Sequence, residues 1–195
     1  MKKFIIMVLI SSIFVGCGNN SNYSDDNYKT NDYTESNINI DDIDIVDADV
    51  DIIIDSKQFS LISSDELIKL MGQPSYIEYW NYTTSKGTFP TKTYNYNTDY
   101  YYEFLVINDM VVRMNCYSLK YWNGNGEDIK YLSKDNIPLM FGIDEKVGSP
   151  LYTGYAVRWS NLTGSVKDVW AIDVDDTNKT MSGVKITYDE LYLDW

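Results

Sequence analysis

Few side chains in this sequence can do covalent or acid–base chemistry. The 195 residues include no histidine, and the thiols are Cys17 and Cys116. Without an imidazole, Ser-His-Asp and Cys-His catalysis, histidine-ligated zinc and histidine-bound haem are excluded. Carboxylates are plentiful, but glycosidic hydrolysis needs two of them about 5–10 Å apart. Glu103 reads as facing the core and Glu78 as isolated in its strand, so neither supplies a pair. Asp47, Asp49 and Asp51 would share one face of an extended strand, with neighbours about 6–7 Å apart. Calcium needs roughly six to eight oxygens gathered by a tight loop. No glycine turns the chain there, so the run reads as a charged linker or an edge strand blunted by charge. Asp173, Asp175 and Asp176 also lack the glycine and closing glutamate of a calcium loop and read as a hairpin. No phosphate loop, metal cluster or nucleophile motif is present, and neither a cofactor nor an enzymatic activity is expected.

Cys17 is the exception. It follows Met1-Lys2-Lys3, an apolar run from Phe4 to Val15, and Gly16. The run is far shorter than the roughly 20 residues that span a bilayer. A charged start, a short apolar run and a small residue before the cut describe a secretory signal peptide. Phe14-Val15-Gly16-Cys17 resembles the bacterial lipobox, with Phe14 where that pattern usually has leucine. The resemblance implies diacylglyceryl transfer to Cys17, cleavage after Gly16, and a mature protein held by lipid at the outer face of a cell membrane. A single acyl chain binds membranes only marginally, so two chains matter to the anchor.

Cleavage leaves 29 acidic and 14 basic residues, a formal charge of −15. That excess argues against nucleic acid, whose binding needs clustered Lys and Arg. It is also repelled by anionic lipid, leaving the acyl group as the membrane contact. Residues 18–40 are mostly Asn, Ser, Asp, Tyr and Thr, too polar to offset the entropy of ordering. Residues 17–56 therefore read as the lipidated cysteine and a tether, about 35 Å in reach as a coil. Residues 57–195 suit one domain.

Within it, Ser63-Ser64-Asp65-Glu66 signals a helix start, and Gly72-Gln73-Pro74 its end. Strand-like runs follow over 76–82, 100–107 and 110–117. Gly148-Ser149-Pro150 then echoes the first Gly-x-Pro, followed by runs over 155–159, 169–174 and 184–188. The expected fold class is α+β: an antiparallel sheet with helices packed on one face, in two related helix–meander units over about 63–118 and 135–195. Helix, Gly-x-Pro and meander resemble the repeats of the β-lactamase inhibitory protein and of small lipoproteins of outer-membrane assembly. Neither family's partners carry over to these residues.

Ile107 and Met110 flank a two-residue hairpin turn. Continued without interruption, this register pairs Leu105 with Val112, Glu103 with Met114 and Tyr101 with Cys116 on a core face. It leaves Tyr100, Tyr102, Phe104, Arg113 and Tyr117 opposite, and Tyr76, Trp80 and Tyr82 share one face of the preceding run. A ring-rich, charge-poor face suits a binding surface. The expected function is a non-enzymatic module for a protein of the cell envelope, with cell-wall glycan as the alternative and a carboxylate hydrolase behind it.

Cys17→Ala is expected to abolish incorporation of a labelled fatty-acid analogue and leave the precursor uncut. Equal labelling of variant and wild type would end the lipid-anchor reading.

Overall fold

The computed structural model describes residues 50–144 and 149–192. Cys17, the signal segment, the first part of the tether and Gly148 lie outside the described residues. Residues 50–56, expected to be tether, belong to the fold. The Ile53 amide donates to the Met140 carbonyl at 2.8 Å. Ser56 Oγ donates to the Phe141 carbonyl at 2.7 Å, and Tyr188 Oη donates to the Ser56 carbonyl at 2.8 Å. Val50, Ile53 and Ile54 pack on the core. Two aspartates stand here among Val50, Ile52, Ile53 and Ile54, and the aliphatic residues have a face to bury. Gly142, at φ 70°, lies under this segment: a Cβ there would stand 2.7 Å from Asp55 Oδ1, so the position excludes any side chain.

After a 3-10 turn at Ser56–Phe59 comes α1, Ser64–Met71. Its capping box is complete: Ser63 accepts from the Glu66 amide, and Glu66 accepts from the Ser63 amide at 2.9 Å. Leu67 carries its buried face, and Gly72 ends it. Four strands follow as a meander: β1 Tyr76–Thr84, β2 Gly87–Asn97, β3 Tyr101–Ile107 and β4 Met110–Tyr117. The short α2, Leu119–Asn123, and β5, Ile129–Lys130, lead to 3-10 turns at Lys134–Asn136 and Leu139–Phe141. Then come β6 Leu151–Thr153, β7 Ala156–Ser160, β8 Asp168–Ile172, β9 Thr180–Met181 and β10 Gly183–Thr187.

Eight strands form one antiparallel sheet in the order β1-β2-β3-β4-β10-β8-β7-β6, with β5 and β9 a separate ribbon. The expected α+β class is therefore wrong. Among the described residues the α-helices are α1, of eight residues, and α2, of five. Where a second helix was expected, Pro138 and Gly142 bound a 3-10 turn instead; proline cannot continue a helix and Gly142 turns left-handed. The two helix–meander units fail with it: among the described residues no α-helix lies between α2 and β6. β2 was missed because Thr, Asn and Lys interrupted by Pro90 read as loop.

One sheet face, under α1, the 3-10 turns and loops, carries the main core. Phe104, Met114, Cys116, Val184, Ile186, Val169, Ala171, Val157 and Trp159 come from five adjacent strands. Burial holds the Cys116 thiol up, well out of its reactive range. The β3–β4 hairpin departs from the uninterrupted register. Asn108 and Asp109, at φ 51° and 60°, make the two-residue turn, and Val106 pairs with Val111 as expected. A bulge then shifts the ladder, so that Leu105 faces Arg113, Phe104 faces Met114 and Tyr102 faces Cys116. Every β3 side chain beyond the bulge is on the opposite face from the one expected. Phe104 and Tyr102 enter the main core. Leu105 joins Tyr82, Ile107, Val112 and Tyr192 in a small cluster on the other face.

Phe104 is fully buried, with ring centroids of Phe59 at 4.8 Å and Tyr96 at 5.7 Å. Phe104→Ala is expected to lose about 3–5 kcal/mol in urea melts, more than Leu105→Ala at the edge of its smaller cluster. A Leu105 variant that loses more than the Phe104 variant would contradict this face assignment.

Candidate functional site

The face away from the main core is built differently. Register pairing sets one residue from each of the eight strands in a single row: Tyr76, Asn95, Glu103, Asn115, Lys185, Trp170, Arg158 and Leu151. At about 4.8 Å per strand the row runs about 34 Å across the sheet. From Asn95 to Arg158, the residues on either side of each in sequence point the other way, into the core.

The row is locked by hydrogen bonds and ring contacts. Tyr101 Oη donates to Asn95 Oδ1 at 2.6 Å, so Tyr76 is the donor in its 2.5 Å bond to Tyr101. Asn115 Nδ2 donates to Glu103 Oε2 at 2.9 Å. Trp170 is contacted by two cations, Lys185 Nζ at 5.5 Å and Arg158 Cζ at 5.4 Å from the ring centroid. Arg158 Nε also donates to both oxygens of Asp168, at 2.6 and 3.1 Å. Arg113, one row away, donates to Thr187 Oγ1 and to the Tyr192 carbonyl and sits 5.2 Å from the Tyr82 ring. Helix α2 covers one end: Trp122 stacks on Tyr101 at 3.6 Å and Tyr121 on Tyr117 at 5.4 Å. Gly183 makes room there, since a Cβ would come within 2.6 Å of both the Tyr117 ring and the Cys116 carbonyl.

Glu103 occupies the middle of the row. Partial burial pushes its carboxyl above the usual range, the Asn115 amide opposes this, Glu78 on the same face raises it further, and Lys185 lowers it. Glu103 was expected in the core and Glu78 alone, yet the two share this face; the reversal follows from the β4 bulge. Burial likewise raises Asp168 against the pull of Arg158. Two polar atoms, Asn115 Oδ1 and Trp170 Nε1, are buried without a hydrogen-bond partner among the described residues.

Of the residues expected to form the binding face, Tyr76, Trp80, Tyr82, Arg113 and Tyr117 lie on this open side. Tyr76 and Trp80 are exposed, Arg113 is half-buried, and Tyr82 and Tyr117 are buried. Tyr102 and Phe104 are buried in the main core, and Tyr100 packs against it. Tyr102 and Phe104 cannot present a surface. Lys185, Trp170 and Arg158 were missed, although alternation in Asp168-Val169-Trp170-Ala171-Ile172 and Val184-Lys185-Ile186 marks them as opposite to buried neighbours. Among the described residues no three Cys, Asp or Glu side chains converge as a metal site, and no helix is long and apolar enough to cross a membrane.

No protein-family model and no curated protein matches this chain. Two solved structures are similar. One is a cysteine-rich secretory protein from Staphylococcus aureus subsp. aureus Mu50, 10% identical, covering 73% of this chain and 51% of that one, with a TM-score of 0.40. The other is an extracellular protein containing an SCP domain from Bacillus anthracis str. Ames, 17% identical, covering 81% of this chain and 50% of that one, with a TM-score of 0.38. The chain thus spans about half the length of each.

A carboxyl whose folded pKa lies above its unfolded value contributes most stability below the unfolded value and loses it as pH rises through the folded one. Glu103→Gln removes that loss. The variant is expected to melt no lower than wild type at pH 7, and its advantage should shrink on acidification toward pH 4. A fixed difference across that range would show that Glu103 does not titrate above its ordinary value.

Proposed function

We propose that this chain is a lipoprotein anchored through Cys17 at the outer face of a cell membrane, where it acts without catalysis as a binding module for a protein of the cell envelope. The open sheet face is the docking surface. The observation that carries this reading is the eight-strand row of rings and planar polar groups on the face that the core leaves free. Tyr76, Trp80, Tyr121 and Trp122 are each more than 40% exposed along that side, and large rings beside polar groups are the residues that dominate protein interfaces. Their backing is rigid: Trp122 lies on Tyr101, which is hydrogen-bonded into the sheet, so little conformational freedom is left to lose on binding.

A photo-crosslinking side chain placed at Trp122 of the full chain, in producing cells, tests this. The control position is Leu70, exposed on α1 over the opposite face. A discrete adduct with another protein from position 122 and none from position 70 is the expected result. An adduct that a muramidase releases as wall fragments would favour the glycan reading. Adducts from neither position, or from position 70 alone, would overturn docking on this face.

A further inference from the structure

The layer that covers the core does not reach the end of the sheet at β1 and β2. On the core side of β2, Tyr96 and Tyr94 are buried, while Lys92 and Pro90 are exposed. On the same side of β1, Ile77 packs on the core, while Tyr79 and Asn81 are exposed. The uncovered corner is concave. A cavity of about 400 Å³ opens there among Tyr79, Asn81, Pro90, Lys92 and the Asn108-Asp109 turn, over buried Val106. Small-ligand sites typically occupy roughly 300–1,000 Å³.

The ladder holds these groups in place. Lys92 stands opposite Tyr79 and Pro90 opposite Asn81, with Tyr79 and Asn81 about 6–7 Å apart along β1. Asp109 is fixed at the rim: Ser64 Oγ, at the start of α1, donates to its Oδ1, and Ser63 bridges Met110. The Tyr79 ring is 73% exposed. Among the described residues its hydroxyl, the Asn81 amide and the Lys92 ammonium have no partner. All of these groups can be reached from solvent.

Their chemistry narrows the ligand. Lys92 only donates, the Asp109 carboxylate only accepts, and Asn81 does both. An anion would face Asp109, and a cation would face Lys92. A hydrocarbon would leave all three polar groups without hydrogen bonds. A neutral polyol meets all of them, because each hydroxyl both donates and accepts. The Tyr79 ring adds an apolar plate, which suits a ligand with one C–H face. A pyranose has both features. We infer that this corner binds a neutral saccharide, its C–H face on the Tyr79 ring and its hydroxyls on Asn81, Lys92 and Asp109. The site lies on the opposite side of the sheet from the docking surface proposed above and does not depend on it.

The test uses the mature full chain with Cys17→Ser and follows the Asn81 side-chain amide resonances, assigned by their loss in Asn81→Ser. Chitotriose, cellotriose and maltotriose are the neutral probes; inorganic phosphate and trilysine are the charged ones. The expected result is a saturable shift with at least one trisaccharide and with neither charged probe. It should persist in about 0.5 M NaCl, where charges are screened within a few ångströms. Affinity should fall about tenfold in Tyr79→Ala and stay within about threefold of wild type in Tyr79→Phe, which keeps the ring. Both variants should melt with wild type, since the position is exposed. No shift with any trisaccharide, an equal shift with phosphate or trilysine, or wild-type affinity in Tyr79→Ala would each overturn the inference. Crosslinking at position 122 reads the other face, so its failure would leave this outcome unchanged.

Discussion

The pairing of β4 with β10 joins the two halves of this sheet, and the side of each strand that is buried follows from it. Val184 lies opposite Cys116 and Ile186 opposite Met114, and all four are fully buried. With a period of two residues, that choice sends Lys185 and Asn115 to the other face, and the ladders on either side carry the same parity outward to β1 and β6. A slip of β10 by one residue at this seam would put Lys185 in the core and expose Val184 and Ile186. Gly183 guards the seam: any side chain there would strike Tyr117 and the Cys116 carbonyl.

The same period explains what could be read from the sequence and what could not. The α1 boundaries, the Asn108-Asp109 turn and most strand positions follow from local chemistry, namely capping residues, turn residues and alternating apolar positions. Beyond the bulge β4 was assigned its correct inward side, with Met114 and Cys116 in the core, but Val112, expected in the core, lies on the other face and Val111 is in the core. β3 was not assigned its correct side, because the bulge beside Val112 has no local signature: Val111, Val112 and their neighbours are all compatible with a regular strand. One extra residue reversed Tyr102, Phe104, Leu105 and Glu103 together. The fold class failed for a related reason. The layer over the sheet is mostly loop and 3-10 turn, whose burial depends on tertiary contacts such as Ser56 with Phe141 and Tyr188. The open face was half legible. Tyr76, Trp80 and Arg113 were recognised on it, while Lys185, Trp170 and Arg158 needed the register of the second half, which the sequence specifies only through alternation.

A sheet with one core face does not need its second face to be costly. Polar side chains exposed to water would cover it well. Here the second face half-buries ionisable groups against one another. Asp168 is nearly inaccessible and depends on Arg158 and Ser160 for compensation; Glu103 depends on a single amide hydrogen bond. Buried ion pairs of this kind contribute little net stability compared with apolar packing of similar volume. An unpartnered buried donor or acceptor is worse, at about 1–3 kcal/mol each. Among the described residues the main core carries no buried ion pair and no unpartnered buried side-chain atom, so the cost falls on one side of the sheet.

That asymmetry is the physical argument for function. A folding requirement alone would be met along the row from Asn95 to Arg158 by polar side chains exposed to water. Instead the row includes two buried polar atoms, Asn115 Oδ1 and Trp170 Nε1, with no hydrogen-bond partner among the described residues, and beside it Trp122 lies on the Tyr101 ring. Such groups gain from a partner that brings matching donors, acceptors and charge, because the penalty of burying them has already been met in the free protein and is relieved on contact. The sheet fixes their spacing to within the strand ladder.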